Sequence, residues 1–374
     1  MAQQATGSTH ANRDATTTDT VQRVTDVDSG LEVTVADTIQ AFDRDRWNDV
    51  VDRADLATVF HRYEWLEAIE NALGYPARHI VVEKDTNPIG VVPNFVVEIP
   101  KTPFYRLSSI YPGFGGPLLT TDVTDSLSLV LETIPELCGG RTIVHEIRAC
   151  NTNFLRYNDA LEAEGYDSSR VGGRFLMNLE KGYDDLFAEM EASKRRAIRR
   201  GRETDHEIVH ADHTHTNLAQ FHDAYERHMR SIGGRVYPLE FFEELASMDD
   251  RILLLMLYVD GEYAGGFLEL LNDEQSTVHG FFAGVPSESF EYHASELLYD
   301  HVFQWAIDNG YETYDFGGGG SDFEDGAFRF KEEFGGTLVP NVYWERGTGP
   351  IWTLVETGRS LYNTYSRRRG SDTA

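Results

Sequence analysis

The chain has 374 residues, long enough for two domains with a core each, and its 62 acidic residues against 33 basic give a formal charge of −29. Only five of the basic residues are lysine, and such an acidic, arginine-rich composition reads as adaptation to high salt and argues against DNA or an anionic membrane as a general partner. The two cysteines, Cys138 and Cys150, are too few for a disulfide framework or a four-thiolate zinc site, and no apolar run approaches the ~20 residues of a membrane span. The N-terminus lacks the basic-then-apolar order of a signal peptide, so a soluble, cytoplasmic protein is expected.

Residues 1–30 are mostly Thr, Ala, Gln and Asp and read as a disordered tail. From Leu31 the pattern gives a strand, helices near Arg44–Asp52 and Tyr63–Leu73, three strand-like runs (His79–Val82, Gly90–Val97, Leu107–Tyr111), a helix over Asp125–Leu137, a strand at Thr142–Ile147, a helix near Asn153–Gly165 and a strand at Phe175–Leu179. The last of these is expected to cross between the halves and finish the first sheet. A helix over Tyr183–Arg200 follows, and then the order repeats. A strand at Glu207–His210 leads to helices Leu218–Ser231 and Leu239–Ala246, then a hairpin over Ile252–Leu271 turning at Asp260-Gly261 and a third strand at Thr277–Ala283. The next helix carries Ala294, Leu297, Leu298, Val302 and Trp305 on one face, and strand Thr313–Phe316, helix Ala327–Phe334 and strand Leu338–Trp344 complete the half. One element order met twice implies a duplicated α+β domain, with residues 31–172 as the first copy, 173–346 as the second, and a C-terminal helix and tail over 347–374.

Two stretches carry chemistry. The first is Tyr311–Gly336: a strand ending at Asp315-Phe316, the glycines Gly317, Gly318, Gly319 and Gly320, and a helix bearing Lys331 among Phe328, Phe330 and Phe334. Glycines let a ligand lie against the main chain, and the helix that follows offers unpaired N–H groups. The second is the end of helix Tyr183–Gly201, where Lys194, Arg195, Arg196, Arg199, Arg200 and Arg202 put six bases into nine residues, with Arg195 and Arg199 one helical turn apart. These either pair with carboxylates and the helix dipole or grip phosphate. Tyr111 lies in a Gly- and Pro-rich turn, Ser109–Gly116, that can shape a pocket. His210, His213 and His215 lie close together, but a strand end and loop give no closed metal-ligand pattern, so no metal is assigned.

The element order, with Trp65-Leu66 before Gly74, Gly90-Val91-Val92-Pro93, Ser109–Pro117 (SIYPGFGGP), KRRAIRR from Lys194, Ala264-Gly265-Gly266, Tyr314–Gly317 (YDFG) and Phe330-Lys331 with Gly335, resembles the Gcn5-related N-acetyltransferase (GNAT) fold and, in tandem, the FemABX-type aminoacyltransferases. The resemblance spans residues 31–345. It implies two GNAT-like domains, each a mixed, mostly antiparallel sheet flanked by helices. It also implies acyl transfer from an activated carrier, aminoacyl-tRNA in characterised members, to an amine on a cell-wall precursor. The junction Ala283–Ser289 (AGVPSES) stands where GNAT enzymes carry their Q/R-x-x-G-x-G/A pyrophosphate loop, which leaves the donor open between aminoacyl-tRNA and an acyl thioester.

On this reading Lys331 meets the charge growing on the carbonyl oxygen, and Asp315 or Tyr314 is the candidate base, the alternative for Asp315 being to hold the glycine loop by accepting backbone N–H bonds. Arg195, Arg199 and Arg329 bind phosphate or carboxylate, Tyr111 and Phe330 shape the site, and Gly317, Gly318 and Gly319 let substrate lie on backbone. The acceptor is a small molecule or a lipid- or nucleotide-linked amine, and no bound cofactor is implied. A CoA-dependent N-acyltransferase is a second reading, and it predicts a groove between splayed strands beside Ala283–Glu296. A third is a non-catalytic protein of the same fold that binds anionic ligands.

Overall fold

The computed structural model describes residues 21–26, 29–318, 323–349 and 351–355. The first half runs β1 (Val21–Asp26), β2 (Leu31–Ala36), α1 (Arg44–Arg53), α2 (Tyr63–Ala68), β3 (His79–Lys84), β4 (Asn87–Val92), β5 (Phe95–Glu98), β6 (Tyr105–Ser108), β7 (Leu118–Leu119), α3 (Val123–Leu137), β8 (Thr142–Ala149) and α4 (Asn158–Ala163). The second runs β9 (Asp167–Asn178), α5 (Tyr183–Glu189), α6 (Ala192–Gly201), β10 (His206–Ala211), α7 (His215–Ser231), α8 (Leu239–Leu245), β11 (Ile252–Val259), β12 (Glu262–Asn272), β13 (Thr277–Gly284), α9 (Ala294–Asp308), β14 (Thr313–Gly318), α10 (Gly326–Glu333) and β15 (Thr337–Gly347). This is the duplicated, mixed α+β architecture that the sequence pattern predicts.

The strands form a small sheet, β1-β2-β3-β4-β7, and a ten-stranded sheet, β10-β11-β12-β13-β14-β9-β15-β8-β6-β5. The order of the large sheet corrects one expectation. β9 pairs with β14 of the second half, Met177 opposite Tyr314, while β15 from the end of the chain pairs with β8 of the first half, Trp344 opposite Ile147. The closing strands are therefore exchanged between halves, and β9 and β15 pair along most of their length in the centre. The expected boundary at residue 172 falls inside β9.

Three further differences have local causes. Val21–Asp26, read as part of a tail, pairs with Leu31–Ala36 as an edge strand; residues 1–20 and 356–374 lie outside the described residues. The single helix expected over Tyr183–Arg200 is two helices, because Met190 and Glu191 take extended ψ near 150° and the Glu191 N–H leaves the helix to donate to the Glu333 carbonyl at 2.9 Å. On α9 the buried face is completed by Phe303 and Ala306, whereas Trp305 stacks on Tyr311.

The halves are welded by aromatic packing. Trp65 of α2 lies 5.6 Å from Phe241 and 5.5 Å from Phe281 of the second half, and Phe60 lies 5.2 Å from Phe281. Such ring pairs add specific geometry to a large burial of apolar surface. Polar ties flank them: Gln275 Nε2 donates to the Ala57 carbonyl at 2.6 Å and Asn71 Nδ2 to Glu244 at 2.9 Å. No helix among the described residues is long and apolar enough to cross a membrane.

Candidate active site

β13 and β14 run parallel but pair only over Thr277–His279 with Thr313–Asp315. Beyond that rung the two strands are no longer paired and diverge. A cleft of about 730 Å³ opens there and extends to the first half, reaching from Val285, Ser295 and Phe316 to Tyr111, Phe114 and Arg148. The groove expected beside Ala283–Glu296 is thus present.

Its floor is built on the last rung. Asp315 is buried, and its carboxylate accepts from Arg174 Nη1 of β9 at 2.7 Å, from His279 Nδ1 at 3.0 Å and from the Gly317 N–H at 2.9 Å. Burial would push such a carboxyl up, but the His279 hydrogen bond and the Arg174 charge overcome it and bring the pKa down to about 2. The Gly317 turn that delivers this N–H needs φ of +73°, which glycine takes without strain. His279 lines the cleft with its ring tilted 53° to that of Phe60 at 5.3 Å, and its Nε2 is buried with no hydrogen-bond partner among the described residues.

Lys331 reaches the same cleft from α10. The helix starts because Asp325 accepts from the Ala327 and Phe328 N–H groups at 2.8 and 3.1 Å, and Phe328 anchors it 4.8 Å from the Phe175 ring. Lys331, one turn on, is half-buried and donates from Nζ to the Gly318 carbonyl at 2.6 Å. Burial lowers its pKa to about 8, against the opposing pull of Asp315 and Asp325. Phe330 also lines the cleft, and it carries the Lys194 ammonium 3.7 Å from its ring centroid on the other side. Gly319 lies outside the described residues.

Tyr111 faces this site from the first half. Three guanidinium groups surround its ring: Arg148 at 5.0 Å and Arg106 and Arg235 at 5.4 Å. Arg235 also donates to the Tyr111 hydroxyl at 2.9 Å. One carboxylate, Glu146, lies between Arg106 at 3.5 Å and Arg148 at 3.6 Å, too far for good hydrogen bonds. Arg148, which lines the cleft, has a buried Nη1 with no hydrogen-bond partner among the described residues, so this end of the cleft has a donor left for an anion.

The other predicted residues lie elsewhere. Arg329 is exposed and donates to the Phe323 carbonyl at 3.3 Å, and it does not line the cleft. Arg195 donates to the Ala188 carbonyl at 2.8 Å and Arg199 lies 5.3 Å from the Phe187 ring; both are on α6 outside the cleft lining. Two of the six bases are tied inward: Lys194 is buried with Glu296 at 3.0 Å and Glu333 at 3.5 Å, and Arg202 pairs with Asp300 at 2.8 Å. Tyr314 is sealed beneath β13, where its hydroxyl donates to Glu269 at 3.0 Å and burial raises its pKa well above the ordinary value. A Cβ at Gly280 would sit 2.4 Å from that hydroxyl.

Residues 188–332 match the family "Acetyltransferase (GNAT) domain". No curated protein matches the chain. Among solved structures it is similar to FemX, with a TM-score of 0.68 at 15% identity over 84% of this chain and 98% of that one. It is also similar to the C-terminal domain of a putative lysylphosphatidylglycerol synthetase from Agrobacterium fabrum, at TM-score 0.56 and 11% identity, covering 85% and 94% of the two chains. A tandem GNAT protein from the clavulanic acid biosynthesis pathway superposes at TM-score 0.51 and 12% identity, covering 86% and 99%.

Proposed function

We propose that this chain, an acyltransferase of the FemABX-type tandem GNAT fold, moves an acyl or aminoacyl group from a carrier held between β13 and β14 to an amine on an anionic acceptor lying across the cleft. The observation that carries the reading is the single cleft that joins the diverging strands, Lys331, Arg148 of the first half and Arg235 of the second.

Acyl transfer to an amine needs the two partners in line and a positive group where the carbonyl oxygen becomes an oxyanion. Lys331 supplies that charge, and its carbonyl partner Gly318 holds the ammonium at the strand end that borders the donor. Gly317 and Gly318 leave main chain open for the acyl group to lie against. Arg148 and Arg235, with Tyr111 between them, receive the carboxylate or phosphate of the acceptor, because bidentate guanidinium donors match such oxyanions. Arg195 and Arg199, facing outward on α6, take phosphates of the carrier beyond the cleft. The groove beside the start of α9 favours an acyl thioester no less than aminoacyl-tRNA as that carrier. The acidic surface suits a concentrated-salt cytoplasm.

The test is a mass-spectrometric screen in molar KCl, offering acetyl- and octanoyl-coenzyme A and a set of aminoacyl-tRNAs with primary amines that do or do not carry phosphate or carboxylate. An amide product confined to anionic acceptors supports the reading. No amide from any donor contradicts it.

A further inference from the structure

We infer that His279 is the group that takes the proton from the attacking amine. The inference rests on the acyl-transfer reading of the cleft and adds to it a residue that the sequence does not single out.

The geometry is that of an anchored imidazole. Asp315 is fixed from three directions by Arg174, the Gly317 N–H and His279, so its carboxylate cannot swing away. A carboxylate only accepts, so the hydrogen of a neutral His279 ring sits on Nδ1 and the lone pair on Nε2. That nitrogen is buried, has no partner among the described residues and belongs to a ring lining the same cleft as Lys331. A buried acceptor left unpaired costs free energy, and its persistence is explained if a substrate N–H is its partner.

Asp315, itself held by Arg174, keeps the Nδ1 side of the ring engaged, and Lys331 lines the same cleft. The nearby Cys150 thiol stays neutral, pushed up to about 11 by burial, and Tyr314 is committed to Glu269. Phe60 supplies an apolar wall.

The step balances. The amine nitrogen bonds to the carbonyl carbon, and its proton passes to Nε2. The carbon–sulfur or carbon–oxygen bond to the carrier then breaks, and the leaving sulfur or oxygen takes that proton back. Nothing is oxidised or reduced, and neutral His279 is restored each turnover.

Two measurements decide the matter. In ¹⁵N spectra of histidine-labelled protein near neutral pH, one imidazole should carry its hydrogen on Nδ1 and lose that preference in Asp315→Asn; a ring protonated on Nε2 overturns the assignment. With acetyl-coenzyme A and seryl-tRNA offered in turn as donors, His279→Ala should lower kcat by about 10²-fold or more with KM for the donor little changed. Imidazole added to the buffer should restore part of the rate, whereas rescue would not follow if the ring served packing alone. A folded His279→Ala as active as wild type removes this role and leaves the acyl-transfer reading standing. A wild type that acylates no amine from these or any other donor of the screen takes down both.

Discussion

His279 and Asp315 are the last paired residues of the parallel ladder between β13 and β14, and their side chains meet there too, with Nδ1 donating to Oδ2 at 3.0 Å. The point where the sheet opens is therefore also where a buried polar anchor lies. Lys331 reaches the same spot from the helix that follows the glycine loop. Backbone divergence, fixed carboxylate and half-buried ammonium thus coincide in one place, as a site for acyl transfer requires.

The alkaline side of the pH profile should belong to Lys331. Its pKa is lowered to about 8, so the ammonium needed by the oxyanion is present below that pH and lost as pH rises through it. The wild-type rate should fall above about pH 8, in the range set by that lowered pKa. Lys331→Arg, which stays protonated, should remove this limb while recovering little rate, because the planar fork does not occupy the ammonium's point. A wild-type limb that persists unchanged in Lys331→Arg assigns it to another group.

Glu269 makes a prediction about stability. Burial raises its pKa to about 8 while it accepts from Tyr314. A raised folded-state pKa stabilises the fold fully below the ordinary carboxylate range, and that contribution is lost as pH rises towards the folded-state value. Wild-type stability should decline between about pH 4.5 and pH 8 by at most ~1.4 kcal/mol per unit, and Glu269→Gln, which keeps an acceptor for Tyr314, should flatten that decline. Denaturant titrations at pH 5 and pH 8 measure it; equal slopes against pH in both proteins would refute the protonated state.

The arginines should separate into two classes. Replacing Arg148 and Arg235 by Gln should raise KM for an anionic acceptor by 10-fold or more, about 1.4 kcal/mol, and leave KM for the donor unchanged. Replacing Arg195 and Arg199 by Gln should instead weaken the carrier and flatten the salt dependence of its binding, since screening acts on the half-buried Arg195 and exposed Arg199 charges. Steady-state kinetics across KCl concentrations distinguish the two, and acceptor KM values unmoved by the first pair would remove the acceptor site.

Much of this was legible in the sequence, and the rest was hidden for one reason. Element order and the convergence of Lys331, Phe330 and Gly317 follow from local periodicity and from a strand–glycine–helix run within about 20 residues, while the divergent groove was implied by the resemblance to the GNAT fold. Arg174, His279, Arg148 and Arg235 could not be read there, because each acquires its meaning from a partner on another element. Arg174 lies 141 residues from Asp315. His279 looks like any strand residue until the β13–β14 register sets it opposite Asp315. The same limit explains the exchanged strands: alternation identifies β9 and β15 but not their neighbours. Conversely, Arg329 and the α6 arginines stood out by composition, which carries no information on which way a side chain faces.

Strand exchange has a direct consequence for truncation. A chain ending at Gly336 lacks β15 and leaves edges of both β8 and β9 unpaired in the middle of the large sheet. It should aggregate, since open edges template further pairing. A soluble fragment with a cooperative melt in differential scanning calorimetry would show that each half closes its own sheet.

The most direct test of the account is the rate of Lys331→Met with the donor and amine identified by the product screen. If Lys331 meets the oxyanion in this cleft, the variant should fold, bind donor with unchanged affinity and turn over 10²–10³-fold more slowly, a loss of about 3–4 kcal/mol in transition-state stabilisation. A folded Lys331→Met that binds donor and forms amide at close to the wild-type rate would contradict it.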